Sequence, residues 1–240
     1  MKWINIDTCP LCGSEIRTLL KQILHPYVMT TGWLVDAPIA IVATYYTCSG
    51  CGLVYESPRP DDISVKAMYS TQQYRSITGI ATETMDSDEC DRSRRIAELI
   101  VDGVSHLDVG CSRGYMLQIT QDKGYCVLGV EPNPEYPLEG IETVRSLDDV
   151  AGKWDVITCI HALEHVADFK GMADRMIDLL ADNGTLILEV PGEGSRGGPL
   201  GMVHLYWFQK PVIERIFERL MLVKTDKTPH DLYVFRKDVK

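Results

Sequence analysis

Residues 104–131 constrain this chain most. Val104–Val109 reads as a short strand whose apolar members are Val104, Leu107 and Val109. It runs straight into a glycine turn, Gly110-Cys111-Ser112-Arg113-Gly114, and then into a helix-forming stretch, Tyr115–Lys123. A second apolar strand, Tyr125–Val130, follows and ends on Glu131. Strand, helix and strand in such close succession put the chain in the α/β class. A glycine turn at a strand end lets the backbone approach a ligand closely, and the next helix presents free N–H groups there. An acid at the tip of the adjacent strand is placed to take both hydroxyls of a ribose. The unit reads as a nucleoside-cofactor site, against the alternative of an ordinary tight βα turn.

The glycine spacing narrows the cofactor. A dinucleotide site carries G-x-G-x-x-G under a pyrophosphate. Here Cys-Ser-Arg separates Gly110 from Gly114, and Asp108 precedes the first glycine by two positions. A carboxylate repels a pyrophosphate but favours the ammonium of an amino-acid tail. The D-x-G-x-x-x-G turn with Glu131 downstream resembles motif I and the following acid of class I S-adenosylmethionine-dependent methyltransferases. Many members have glycine where Ser112 stands; serine is small and can hydrogen-bond the cofactor's tail. The resemblance implies that Asp108, Gly110, Cys111, Ser112 and Gly114 surround the methionine moiety. It implies that Glu131, with Pro132 beside it, takes the ribose, that Ser146 and Leu147 lie against the adenine, and that His161 also borders the cofactor.

The resemblance continues along the chain. Trp154–Ile160 reads as a buried strand rich in β-branched residues, leading into His161-Ala-Leu-Glu164-His165. An amphipathic helix follows, with Phe169, Met172, Met176, Ile177 and Leu180 at helical spacing and Asp168 as its N-cap. Asn183-Gly184 is expected to stop it and Thr185–Val190 to form the next strand. This run is similar to the family's fourth strand, "LEH" segment, helix, "NG" turn and fifth strand. His204–Phe208 and a helix over Pro211–Leu220 resemble the continuation in one large subgroup, with last strands at Met221–Thr225 and Leu232–Arg236. Across residues 88–240 the resemblance implies a Rossmann-like seven-stranded sheet, mostly parallel with its last strand antiparallel, and helices on both faces.

The other end carries a different signal. Cys9-Pro-Leu-Cys12-Gly13 and Cys48-Ser-Gly-Cys51-Gly52 are two copies of one C-x-x-C-G knuckle. Two residues between cysteines let both sulfurs face one ion, and the following glycine permits the turn's positive φ. Two knuckles make a closed four-thiolate zinc site, which is structural because no ligand position stays open. The gap of 35 residues between them is long for this pattern, so strands within Leu34–Thr47 are expected to return the chain to the second knuckle. Two disulfides are the alternative. The N-terminus lacks an apolar signal-peptide region, and eight cysteines without one suggest a reducing, cytoplasmic setting and metal ligation. Cys90, Cys111, Cys126 and Cys159 read as small buried hydrophobes.

A chain of 240 residues fits one α/β domain with a small appendage. The expected division is a zinc-binding module over 1–57, a linker or lid over 58–87, and the methyltransferase domain over 88–240. Tyr69 and Tyr74 in the linker face the substrate or simply pack. The proline-rich stretch 132–140 is unsuited to a long helix. The glycine-rich stretch 191–202 is a substrate-side gate or a plain connection. A net charge of −10, with Arg92, Arg94 and Arg95 as the only basic cluster, argues against nucleic acid. The longest apolar run, near Ala37–Ala43, is far too short to span a bilayer.

Methyl transfer needs in-line positioning and exclusion of water, with a base only where the acceptor must lose a proton. His161 and His165, on one face of a helix start, are base candidates; bracing the strand–helix junction or packing against the cofactor is the alternative role for this segment. His204, flanked by Tyr206, Trp207 and Phe208, is a third. The order of zinc knuckles, tyrosine-bearing linker and core resembles zinc-containing methyltransferases of sugar and secondary-metabolite pathways. The expectation is a small-molecule acceptor such as a sugar or sugar nucleotide. Delivery by the zinc module to a protein or nucleic-acid partner, and a scaffold without turnover, are the rivals.

Overall fold

The computed structural model describes residues 2–27, 39–70, 82–100, 105–133, 135–195, 200, 204–227 and 230–238. Val101, Val104 and Tyr74 lie outside these residues, as does most of 196–203. The N-terminal part holds β1 (Trp3–Ile4), the hairpin β2 (Arg17–Tyr27) and β3 (Ile39–Cys48), β4 (Val54–Glu56), β5 (Arg59–Pro60) and α1 (Asp62–Tyr69). Next come α2 (Thr82–Ala97), β6 (Ser105–Val109), α3 (Tyr115–Asp122), β7 (Cys126–Val130) and β8 (Thr143–Val144). The chain closes with β9 (Trp154–Ile160), α4 (Phe169–Leu179), β10 (Leu180–Val190), β11 (Tyr206–Trp207), α5 (Lys210–Ile216), β12 (Met221–Lys227) and β13 (Asp231–Arg236).

Seven strands form the main sheet in the order β12-β13-β10-β9-β6-β7-β8. β6 pairs in parallel with β7 and β9, and β9 with β10, while β13 runs antiparallel to both its neighbours. Alternating side chains face opposite sides of a strand. Leu107, Ile157, Cys159, Leu186 and Leu188 accordingly pack with Phe169 and Met176 of α4 and Val212 and Ile213 of α5 on one face. Val156, Ile187, Leu232 and Val234 meet Ile96 and Met116, from α2 and α3, on the other. This order puts the tips of β6, β7 and β9 side by side at one edge, where ligands of open α/β sheets bind.

The structure refines several expectations. The linker contains α1, which Asp61 caps by accepting from the Ser64 N–H at 2.9 Å and which buries Val65 and Met68. The core's first helix begins at Thr82, before residue 88. Asn183-Gly184 does not stop α4, which ends at Leu179; it is a bulge within β10, where the register shifts between Leu180 and Thr185. Asn183 adopts φ 61°, and its N–H donates to the Lys237 carbonyl while the Lys237 N–H donates back to Gly184, both at 3.0 Å. α5 stops at Ile216, short of Leu220. Cys126, at the start of β7, is exposed, and Cys90 is half-buried. The described part of 132–140 is free of helix, as its prolines require.

A second sheet, β11-β4-β3-β2, takes one strand from far along the chain: Tyr206 and Trp207 pair with Tyr55 and Val54. Among the described residues no helix is long and apolar enough to cross a membrane.

Candidate functional site

The glycine turn after β6 is built by backbone need. Gly110 and Gly114 take φ of 80° and 79°, values that glycine adopts without steric penalty. A Cβ on Gly110 would also stand 2.6 Å from the Ala162 Cβ, so the turn lies directly against the segment after β9. Gly114 caps α3, and Cys111 is buried with its sulfur against Gly129. Pro132 is half-buried beside Glu131. Ser146 accepts from the Asp148 N–H at 3.2 Å, starting a 3₁₀ turn at Leu147 just beyond β8.

Three carboxylates converge here. Glu131 accepts from the Ser112 N–H at 3.0 Å through one oxygen and from the Asn133 N–H at 2.9 Å through the other. Asp108 accepts from the Thr158 hydroxyl at 2.6 Å. Glu89, from α2, accepts from the Ser112 hydroxyl at 3.2 Å. Burial, reinforced by the Glu89 charge and opposed by Thr158, pushes Asp108 up to about 7. Burial likewise lifts Glu131 to about 7 against its two amide donors. Two desolvated acids, Asp108 and Glu131, side by side suit a cationic ligand. The residues present therefore fit a cofactor bearing an ammonium and a sulfonium.

Next to this turn lies a cluster of histidines and carboxylates. His161, at φ 51°, ends β9, and its N–H donates to the Glu189 carbonyl at 2.9 Å. The chain then turns as a 3₁₀ helix, Leu163–His165, so His161 and His165 do not share an α-helical face as expected. They flank Glu164 instead, with His161 Nδ1 at 3.3 Å and His165 Nε2 at 3.7 Å from its Oε1. The His204 ring lies 4.9 Å from that of His165, and Tyr69 Oη is 2.7 Å from His165 Nδ1. His161 Nε2 stands 3.4 Å from Glu189, which also meets Arg92 at 3.3 Å and Arg95 at 2.5 Å. The His230 ring approaches His161 edge-on at 4.3 Å.

The charges follow from this packing. Burial alone would raise Glu164, but His165, His161 and His204 outweigh it and hold the carboxyl down at about 2. Burial would lower His161, yet Glu164 and Glu189 raise it. Burial and the His161 charge draw His230 down to about 4. All three base candidates thus meet beside the glycine turn. Glu89, Arg92, Arg95, Glu189 and His230 also belong to the site and escaped sequence reasoning; only the Arg92/Arg95 spacing on one helix offered a hint. Tyr206 and Phe208, by contrast, are core side chains at 1 % exposure.

The knuckle cysteines come together in the N-terminal part. Their four sulfurs lie within 4.8 Å of one another, with Cys9–Cys51 and Cys12–Cys48 at 3.5 Å. Four thiolates about 2.3 Å from one zinc stand about 3.8 Å apart, so the set fits the ion. Gly13 and Gly52 take φ of 74° and 80°, and their N–H groups bond back to the Cys9 and Cys48 carbonyls. All four thiols are unbridged.

A family model described as "Methyltransferase domain" matches residues 82–220. The ubiquinone biosynthesis O-methyltransferase of Psychrobacter cryohalolentis is 28% identical over 118 residues, 40% of this chain and 44% of that protein. Its counterpart in Xanthomonas oryzae is 32% identical over 107 residues, 38% of this chain and 45% of that one. The chain thus spans less than half the length of these curated relatives. Magnesium protoporphyrin IX methyltransferase from Synechocystis, solved with bound S-adenosylmethionine, superposes with a TM-score of 0.57 at 15% identity, over 75% of this chain and 99% of that one. The Burkholderia thailandensis 1,6-didemethyltoxoflavin-N1-methyltransferase, solved with S-adenosylhomocysteine, gives 0.58 at 16% identity, over 80% and 98%. With the family match covering more than half of its length, the chain belongs to the methyltransferase-domain family and has the class I S-adenosylmethionine-dependent methyltransferase fold.

Proposed function

We propose that this protein is an S-adenosylmethionine-dependent methyltransferase acting on a hydroxyl-bearing small molecule, braced by a structural zinc ion on Cys9, Cys12, Cys48 and Cys51. The observation that carries the reading is the convergence of Asp108, Glu131 and Glu89 on the glycine turn, directly beside the histidine cluster. When bound, S-adenosylmethionine supplies an electrophilic methyl group. Asp108 and the backbone of Gly110, Cys111, Ser112 and Gly114 hold its amino-acid tail. Glu131 takes the ribose hydroxyls, and Pro132, Ser146 and Leu147 border the adenine. His161 borders the turn on the acceptor side, tied between Glu164 and Glu189. His165 and His204, on the acceptor side, would position the acceptor hydroxyl and ease the loss of its proton. The O-methyltransferase names of the relatives support a hydroxyl acceptor, sugars and secondary metabolites included, and the net charge of −10 supports a small molecule over nucleic acid.

Calorimetric titration with S-adenosylhomocysteine should give a micromolar-class heat that Glu131→Ala removes. Labelled methyl groups should then pass to hydroxylated metabolites in extracts. An absence of heat at high ligand concentration would contradict the cofactor assignment. Cys48→Ser should lose about one zinc per chain.

A further inference from the structure

We propose that Glu164, His165 and His204 bind one divalent transition-metal ion of the zinc(II) or iron(II) kind, on which the acceptor's oxygen rests. Glu164 is 0 % exposed, and neither of its oxygens receives a hydrogen bond of good geometry despite the histidines around it. A buried carboxyl that meets its imidazole neighbours only at 3.3 and 3.7 Å is better completed by a cation held at ligand distance. Donor atoms of Glu164, His165 and His204 all lie within 4.8 Å of one another. Ligands about 2.1 Å from a zinc ion stand about 3.4 Å apart, so a modest inward movement of two imidazoles closes the set.

The framework around these groups matches the role. The Leu205 N–H donates to the Glu164 carbonyl at 2.9 Å, which fixes His204 beside the carboxylate. The Tyr45 hydroxyl donates to the His204 carbonyl at 3.0 Å and holds it from the other side. Tyr69 sits on His165 Nδ1 at 2.7 Å, and His165 Nε2 faces Glu164. A metal-bound imidazole characteristically gives its other ring N–H to such an oxygen partner. Two imidazoles and one carboxylate leave coordination positions open, unlike the closed four-thiolate site. An acceptor hydroxyl bound there loses its proton more readily.

The neighbouring set, His161, Glu189 and His230, is the weaker site. Arg92 and Arg95 already neutralise Glu189 and would repel a cation, and His230 Nδ1 lies 2.8 Å from the Ser195 hydroxyl.

The role of the ion rests on the methyltransferase reading, but its binding is measured without cofactor or acceptor. The full-length protein is dialysed against zinc and analysed for metal. Wild type should hold about two ions per chain, and Glu164→Gln and His204→Asn about one each. His230→Asn should keep both. Tyr69→Phe should keep the second ion but bind it about 10–100-fold more weakly. Circular dichroism checks each variant's fold, and His204→Asn, at a half-buried position, carries the test if Glu164→Gln unfolds. One ion per wild-type chain, or a second ion that survives His204→Asn, overturns the proposal. A second ion without methyl transfer would leave the metal site standing and sink the enzymatic reading alone.

Discussion

Asp108 ends a run of hydrogen-bonded side chains that decides its chemistry. The Thr158 hydroxyl donates to it and so accepts from His106 Nε2 at 2.8 Å, which fixes His106 as the neutral Nε2–H tautomer. Burial holds the His106 pKa down at about 3, in agreement. Thr158→Val leaves Asp108 buried without its donor, a loss of about 1–3 kcal/mol, and should weaken S-adenosylmethionine binding roughly 5- to 100-fold in titration. A cationic ligand favours the ionised forms of Asp108 and Glu131, both near 7 in the free protein. Affinity should therefore rise with pH through about 7 and level off above it, with protons released on binding below that point. Calorimetry in buffers of unlike ionisation enthalpy reads this directly, and a flat, buffer-independent profile would contradict it. Stability follows the same groups. Their folded pKa values stand above the unfolded carboxylate value of about 4, so stability is lost as pH rises through about 7. Raised His161 adds to that loss, whereas lowered His106 and His230 act oppositely only below about 6.5. The ligand-free melting temperature should fall as pH rises from about 6.5 through about 7. Asp108, Gly110, Gly114 and Glu131 were legible because one turn demands them at fixed spacing. Glu89, Glu189 and His230 were hidden because they arrive from three other elements with no spacing to betray them.

Elements were readable where burial and local chemistry agree. β9 matches its expected bounds because its β-branched run is buried on both faces and ends sharply at His161. β10 begins earlier than expected because Leu180, fully buried, pairs with Trp154 before the chain bulges through Asn183-Gly184. α1 carried a visible cap in Asp61 and an apolar pair three residues apart, yet its polar surroundings read as linker. The second sheet links the two ends of the molecule element by element. β3 ends on Cys48 and pairs with β4, which pairs with β11, and His204 precedes β11 by two residues. Removing zinc through Cys48→Ser should therefore disturb the acceptor side more than the glycine turn. Turnover should drop roughly ten- to a hundredfold, the scale of a misplacement near 1 Å. Affinity for S-adenosylhomocysteine should change little; an equal loss of both would mean that zinc supports the fold at large.

At the scale of the whole molecule, the N-terminal residues and the helical face of the main sheet share one core. Cys9, Cys48, Leu53 and Tyr55 belong to the same buried cluster as Phe169, Tyr206, Phe208 and Phe217. Phe169 meets Tyr206 at 4.7 Å and Phe208 at 5.2 Å between ring centres, and the Tyr206 hydroxyl donates to the Ala167 carbonyl at 2.9 Å. No periodicity announces a two-residue strand such as β11, so sequence alone had no means of joining residues so far apart. The shared core gives a decisive expectation. Truncating a buried aromatic costs about 3–5 kcal/mol, a large part of a stability of about 5–15 kcal/mol. Tyr55→Ala should lower the melting temperature by about 6–20 °C at about 2–4 °C per kcal/mol. Deleting residues 2–60 strips Leu53 and Tyr55 together and uncovers Tyr206 and Phe208, so the remaining chain should melt without a cooperative transition and be cut rapidly by protease. A truncated protein that melts like the full chain would show that the seven-stranded sheet completes its core alone, with the cysteine end merely resting on it.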